Sequence, residues 1–267
     1  MSDISGQRIR QLILEQSKRA NVGHIGSALS IADIMAVLFD GVLRGAPDSS
    51  ERDRFVLSKG HAALALYAAL HCLNVLSREQ LATYCQDGSQ LGTHPEYELT
   101  GIDFSTGSLG QGLSMGIGAA LAARLDGSDR RVFVLLSDAE CNEGSIWEGV
   151  MFAAQHKLSN LVVIIDDNGQ QAMGKTQDVL NLRPFAARWG AFGWRTVDVD
   201  GHDTAALHEA LNTTLAASAE TSVPTVIIAN TQAGYGVSYM QGQVRWHYMP
   251  MNDQEYQQAL SEVASRS

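Results

Sequence analysis

Asp138 and Asn168 are the residues whose type and position best suit chemistry. Each closes an apolar run: Val132-Phe133-Val134-Leu135-Leu136-Ser137 leads into Asp138, and Leu161-Val162-Val163-Ile164-Ile165-Asp166-Asp167 leads into Asn168. Their separation of about 30 residues is the length of one strand–helix–strand unit, which puts both at the carboxyl ends of two parallel strands. Ligands bind at that edge of open α/β sheets. A carboxylate and an amide oxygen there suit Mg²⁺, which keeps its other positions for water and phosphate. The stretch Val132–Gly174 therefore reads as a site for a metal and a diphosphate. On the second strand, alternation sends only one of Asp166 and Asp167 inward, so both are read as supporting or structural.

Histidines supply the second set. His24 lies between glycines in Gly23-His24-Ile25-Gly26, and His61 follows a short strand in Lys59-Gly60-His61. His94 stands in the loop Gly92-Thr93-His94-Pro95-Glu96, and His247 in a tail after Trp246. Imidazole can bond hydroxyls and move protons near neutral pH. His71, His156, His202 and His208 are read as surface or packing residues, and Cys141 as a small residue rather than a reactive thiol. The run Thr106–Gly118 carries glycines at 107, 110, 112, 116 and 118 and enters a helix of small residues. Such a turn can point backbone N–H groups at an anion. As a dinucleotide fingerprint it is poor, because that motif follows the first strand of its unit.

These residues need a frame of alternating strands and helices. An amphipathic helix spans Ile4–Ala20 with Gly23 and Gly26 ending it, and Ser30-Ile31-Ala32-Asp33 resembles a capping box opening a helix through Val42. A strand at 54–58 precedes a helix at 62–73, and Ser77-Arg78-Glu79-Gln80 opens a short helix reaching about Cys85. Further helices are predicted at 113–124, 185–192, 204–219 and 253–264, with strands at 194–199 and 224–229. No repeat or linker interrupts the pattern, which implies one doubly wound, mostly parallel α/β sheet flanked by helices across residues 1–267.

The bounds agree. A chain of 267 residues, 45% hydrophobic and 18% charged, can build one large core. Its net charge of −10 argues against nucleic acid, whose phosphates call for basic surfaces. No apolar run reaches the roughly 20 residues that span a bilayer, and the polar first ten residues show no secretory signal. Three cysteines without metal spacing point to a reducing, cytoplasmic setting.

Together these motifs resemble the N-terminal half of transketolase, the thiamine diphosphate-dependent ketol transferase family. Gly23-His24-Ile25-Gly26 is similar to the family's GHxG, and Asp53-Arg54-Phe55-Val56-Leu57-Ser58-Lys59-Gly60-His61-Ala62 to DRFVLSKGHA. His94-Pro95-Glu96 resembles the HPE loop, and Gly107-Ser108-Leu109-Gly110-Gln111-Gly112 resembles GPLGQG with Ser for Pro. Trp147-Glu148 through Asn168 follows the family pattern, so the resemblance covers nearly the whole chain.

The resemblance implies a thiamin diphosphate-binding fold of the diphosphate-binding type. It implies Asp138, Asn168 and the Gln170 backbone carbonyl as ligands of Mg²⁺, with Ca²⁺ or Mn²⁺ able to substitute. Gly107, Ser108 and Leu109 resemble the cofactor-contacting turn, the Ala139 N–H resembles a diphosphate donor, and Glu140 falls in the same cofactor-binding set. His61 and His247 are implied beside the cofactor. His24, His94 and His247 are implied along the substrate channel, and Glu143 in a network joining two active sites. The implied reaction moves a two-carbon ketol unit from a ketose, phosphorylated or otherwise modified, to an aldose. The pyrimidine-binding half is expected on a partner, the C-terminal transketolase subunit, in an α2β2 assembly, without which this chain is inactive. Rival readings are another thiamine-dependent acyl- or ketol-transferring or decarboxylating subunit, and a catalytically silent scaffold.

Two positions depart from the family. Ser137-Asp138-Ala139 replaces Gly-Asp-Gly, and Tyr248 follows His247 where glycine is usual. If position 139 needs a left-handed backbone, alanine there costs about 1–2 kcal/mol. Tyr248 is expected to narrow the substrate mouth.

Overall fold

The computed structural model describes residues 4–218 and 222–265. Its centre is a five-stranded, wholly parallel sheet of β1 (Arg54–Leu57), β2 (Val132–Ser137), β3 (Leu161–Asp167), β6 (Arg195–Asp200) and β7 (Thr225–Asn230). Their order is β1-β2-β3-β7-β6. The chain steps inward from β1 to β3, crosses to the far edge at β6, and returns to fill the gap with β7. A small antiparallel hairpin, β4 (Gln170–Gln171) with β5 (Gly174–Lys175), follows β3.

Strands β2, β3 and β7 are apolar along nearly their whole length because helices cover both faces of the sheet. Period two sorts the side chains: Phe133, Leu135, Val162, Ile164 and Ile227 join one core, and Val134, Leu136, Val163, Ile165 and Val226 the other. The first core lies under α1 (Gly6–Ala20), α2 (Ile25–Ser30), α3 (Ala32–Val37), α4 (Ala63–Cys72), α10 (Thr204–Ser218) and α12 (Asp253–Ala264). The short α5 (Arg78–Leu81) also rests there through Leu81. The second is built with α6 (Gly112–Leu125), α7 (Gly144–Gln155) and α9 (Phe185–Ala191). Two short helices, α8 (Thr176–Val179) and α11 (Arg245–Tyr248), flank the carboxyl edge of the sheet. No helix among the described residues is long and apolar enough to cross a membrane.

Three sequence expectations change. Helix α1 ends at Ala20, where Asn21 turns left-handed (φ 54°), and Gly26 lies inside α2 instead of terminating α1. Ser30 opens no capping box: it is the last residue of α2, and its hydroxyl is 2.8 Å from Asp166 Oδ2. Asp33 is instead drawn into a buried cluster with Arg10 and His202. The box at Ser77 and Gln80 does form, but its helix stops at Leu81. The helix expected to reach Ala219 is seen through Ser218, and Ala219 lies outside the described residues.

Candidate active site

The carboxyl edge of β2 and β3 presents Asp138 and Asn168 as their spacing predicts. Asp138 is fully buried; its Oδ1 accepts from the Ala139 N–H at 2.8 Å and its Oδ2 from the Gly169 N–H at 3.0 Å. The second bond brings the two candidate ligand loops together. Asn168 is oriented from behind: its Nδ2 donates to Asp166 Oδ2 at 2.8 Å, and its Oδ1 accepts the Gln170 N–H at 2.9 Å. Burial, together with the nearby Asp166 and Asp167 carboxylates, pushes the Asp138 carboxyl up to about 7. Among the described residues no three His, Cys, Asp or Glu side chains gather as a metal cluster. The donor set is one carboxylate, one amide oxygen and the Gln170 carbonyl, hard oxygens that suit Mg²⁺ or Ca²⁺ rather than zinc. A buried carboxylate with no cationic side chain on it among the described residues fits a divalent ion well.

Both carboxylates of β3 are buried, because alternation places one on each covered face of the sheet. Asp167 meets Arg183 across one face. Asp166 meets Lys59 across the other, with Nζ 2.5 Å from Oδ2 and neither side chain exposed. Lys59 also donates to the Ser27 carbonyl at 3.1 Å, and the Thr231 hydroxyl donates to Asp166 Oδ1. Sequence patterns alone give Lys59, Ser27 and Thr231 no role. The available signal is a lysine ending an apolar strand beside His61, but its counter-ion lies 107 residues away.

The four histidines converge. The rings of His24, His61 and His247 form a near-equilateral triangle with centroids 5.2–5.4 Å apart. The Ser27 hydroxyl sits between two of them, 3.2 Å from His61 Nε2 and 3.5 Å from His247 Nδ1. The loops carrying His24 and His247 are joined by the His24 N–H donating to the His247 carbonyl at 3.2 Å. His94 belongs to a loop whose backbone accepts the Tyr67 hydroxyl at 2.9 Å. It lies against Gly107, where any Cβ would come within 3.0 Å of the ring and where φ is +155°. All four histidines line one cleft of about 460 Å³ with Gly107, Leu109, Ala139, Glu143, Asn168 and Gln170. Among buried side-chain polar atoms without a protein partner, His24 Nδ1, Asn142 Oδ1, Gln170 Oε1 and Gln171 Nε2 all belong to residues lining this cleft. Buried polar groups are ordinarily satisfied, so such a gathering marks a place built for a ligand.

Burial lowers all three histidines of the triangle: His24, aided by His94; His61 well below its ordinary value, aided by Lys59; and His247 to about 4, aided by His24 and Lys59. Each is neutral at pH 7. Because the folded pKa lies below the ordinary 6.5, protonation is unchanged by folding above that value. Between about 6.5 and 4 the unfolded chain binds more protons, so stability falls as pH falls. Urea midpoints are expected to drop between pH 7.5 and 5, with a shallower drop for His247→Gln; equal slopes would contradict this.

The remaining expected residues divide. Ser108 and Leu109 are exposed on the glycine turn, and Glu143 is exposed at the start of α7. The Glu140 side chain faces away: it is buried and accepts from the Ser58 hydroxyl, from the Gly110 N–H at 2.8 Å and from the Ser137 N–H at 3.3 Å. It acts on the cleft by fixing the Gly110 turn. The Ala139 N–H is engaged by Asp138 Oδ1, so donating to a diphosphate requires it to leave that oxygen. Ala139 begins a short 3-10 turn and has no positive φ, so the strain that would accompany a left-handed alanine is absent. Ser137 is likewise accommodated, its hydroxyl accepting the Glu140 N–H at 3.1 Å. Cys141 is buried, and burial raises its thiol well above the ordinary range, as for an inert packing residue. His202 is a packing residue too, with Nδ1 donating to Asp33 at 2.9 Å and Nε2 accepting the Gln232 N–H at 3.0 Å.

Comparison with known proteins gives a consistent picture. The family model described as transketolase, thiamine diphosphate binding domain, matches residues 3–264. One of the two subunits of the apulose-4-phosphate transketolase of Phocaeicola vulgatus is 38% identical over 267 residues, covering 99% of this chain and 94% of that protein. The 6-deoxy-6-sulfo-D-fructose transketolase subunit SqwG of a Clostridium species is 38% identical over 96% of this chain and 93% of its own length. The crystal structure of Campylobacter jejuni transketolase superposes with a TM-score of 0.89 at 30% identity, covering 97% of this chain but 42% of that one. The chain thus spans about two fifths of the full-length transketolase, and nearly all of the two subunit relatives.

Proposed function

Because this chain belongs to the transketolase family, through its thiamine diphosphate-binding domain, we propose that it is the diphosphate- and metal-binding subunit of a two-chain transketolase. The gathering of unpartnered polar atoms around one histidine-lined cleft carries this reading. Asp138, Asn168 and the Gln170 carbonyl would hold Mg²⁺, and the Gly107–Leu109 turn would face the cofactor. Thiamine diphosphate, when bound, supplies the nucleophilic carbon and the electron sink for cleaving and forming a carbon–carbon bond next to a carbonyl. The histidines of this chain, His24, His61, His94 and His247, bind sugar hydroxyls and exchange protons with them, a task suited to an uncharged imidazole. Asp166 and Lys59 hold the Asn168 amide in place.

The substrate pair we propose is a ketose donor, phosphorylated or otherwise modified, and an aldose acceptor. Lys59 is the one lysine or arginine lining the cleft among the described residues, and it is committed to Asp166. An anionic group on the sugar must therefore meet its cation on another chain. That chain is the pyrimidine-binding partner, in an α2β2 assembly placed in the cytoplasm, with residues 1–267 as one domain. The silent-scaffold reading rests on Ser137 and Ala139, and both are accommodated without strain.

Co-expression with the neighbouring reading frame and calorimetric titration with thiamine diphosphate plus Mg²⁺ tests this. A complex that binds neither would overturn the proposal, and a screen of ketose donors then tests the transfer. His61→Ala is expected to keep cofactor affinity within a few-fold while lowering kcat by about 10²-fold or more. An unchanged kcat would remove His61 from the chemistry.

A further inference from the structure

We propose that Tyr248 is a positioning residue: its phenol fastens the β4–β5 hairpin to the segment carrying His247 and so holds the Gln170 carbonyl in place. This rests on the reading that Gln170 is a metal ligand. The hairpin has little to hold it by itself, since its ladder pairs only Gln170 with Lys175 and Gln171 with Gly174. Two-stranded ribbons are at best marginal in water, and this one is far shorter than most. Its turn is open to solvent, with Met173 76% exposed.

Two side-chain bonds tie the hairpin down, and both lead to residues 243–248. The Tyr248 hydroxyl donates to the Ala172 carbonyl at 2.8 Å, and Gln170 Nε2 donates to the Gln243 carbonyl at 3.5 Å. The first has the better length. The anchor under it is firm. A Cβ on Gly23 would come within 2.3 Å of the Tyr248 carbonyl oxygen, so the two backbones are in close contact. The Tyr248 ring stands edge-on to His247 with centroids 5.2 Å apart. The phenol therefore spans from the histidine wall of the cleft to the hairpin wall, and its far end lands two residues from Gln170. A glycine at position 248 could provide neither the reach nor the donor.

Tyr248 is 55% exposed, so removing its oxygen leaves the core untouched and Tyr248→Phe isolates the bond. In the full chain without ligand, amides 170–175 are expected to exchange with deuterium about 3–10-fold faster in Tyr248→Phe, with the melting temperature unchanged. In the complex with its partner subunit, the Mg²⁺ concentration for half-maximal thiamine diphosphate binding should rise by a similar factor. Raised Mg²⁺ should recover the loss, a pattern that a general loss of stability would not give. Unchanged exchange at 170–175 would overturn the fastening. Faster exchange with unchanged Mg²⁺ dependence would overturn the positioning role. A wild-type complex that binds no cofactor would overturn the metal reading itself, and this inference with it.

Discussion

Asp138→Asn is expected to leave the chain folded while weakening Mg²⁺-dependent thiamine diphosphate binding by at least about 100-fold, or about 2.7 kcal/mol. The substitution keeps the shape and removes the charge. One side-chain oxygen remains to accept the Ala139 N–H, while the new amide faces the Gly169 N–H and loses that bond. The loss costs on the order of 1 kcal/mol. It is offset because a fully buried carboxylate beside Asp166 and Asp167 is no longer held in the metal-free protein. Stability and affinity should therefore separate. Calorimetry gives the affinity and a thermal melt the fold; retained Mg²⁺ dependence in a folded Asp138→Asn protein would remove Asp138 from the metal site.

Lys59→Met is expected to act on the fold instead. Lys59 and Asp166 have no exposed side-chain surface, and the lysine is the cation that balances this carboxylate. Removing one member of a buried pair strands the other, at a cost of about 3–5 kcal/mol. For a domain of this size that is a fall in melting temperature of roughly 10 °C. Asp166 also accepts the Asn168 Nδ2 bond, so metal affinity should fall along with stability. The double variant Lys59→Met/Asp166→Asn removes the stranded charge and should recover part of the loss, which a double-mutant cycle measures. A single variant as stable as the wild type would show that the pair contributes nothing net.

The strand–helix order and the Asp138–Asn168 pair are legible because they follow from local patterns: apolar runs that end in an acid or amide, and a separation fixed by one crossover unit. The histidines are legible as loop residues beside strands and glycines, although nothing local says that three of their rings meet. Charge balance is not legible. Whether Asp166 is a ligand or one half of an ion pair depends on Lys59, and the two are brought together only when α2 and β3 pack on one face of the sheet. The same packing explains the capping box expected at Ser30, whose hydroxyl lies against Asp166 across the core instead of serving its own helix. Position 139 differs in the other direction, because a short 3-10 turn accommodates alanine where the family's glycine suggests a left-handed backbone.

The outer strand β6 bears on how the protein behaves in concentrated solution. Its free side is a row of unpaired backbone donors and acceptors, the kind of template on which stray chains add as extra strands. Arg195, Thr196, Asp198 and Asp200 make that border polar and mixed in sign. An incoming strand must bring matching charges or leave these groups without water, so end-on growth of the sheet into filaments is disfavoured. Clumping of the chain on its own would then start from the apolar rim of the cleft, where Met173, Val179 and Leu180 are exposed, rather than from the sheet.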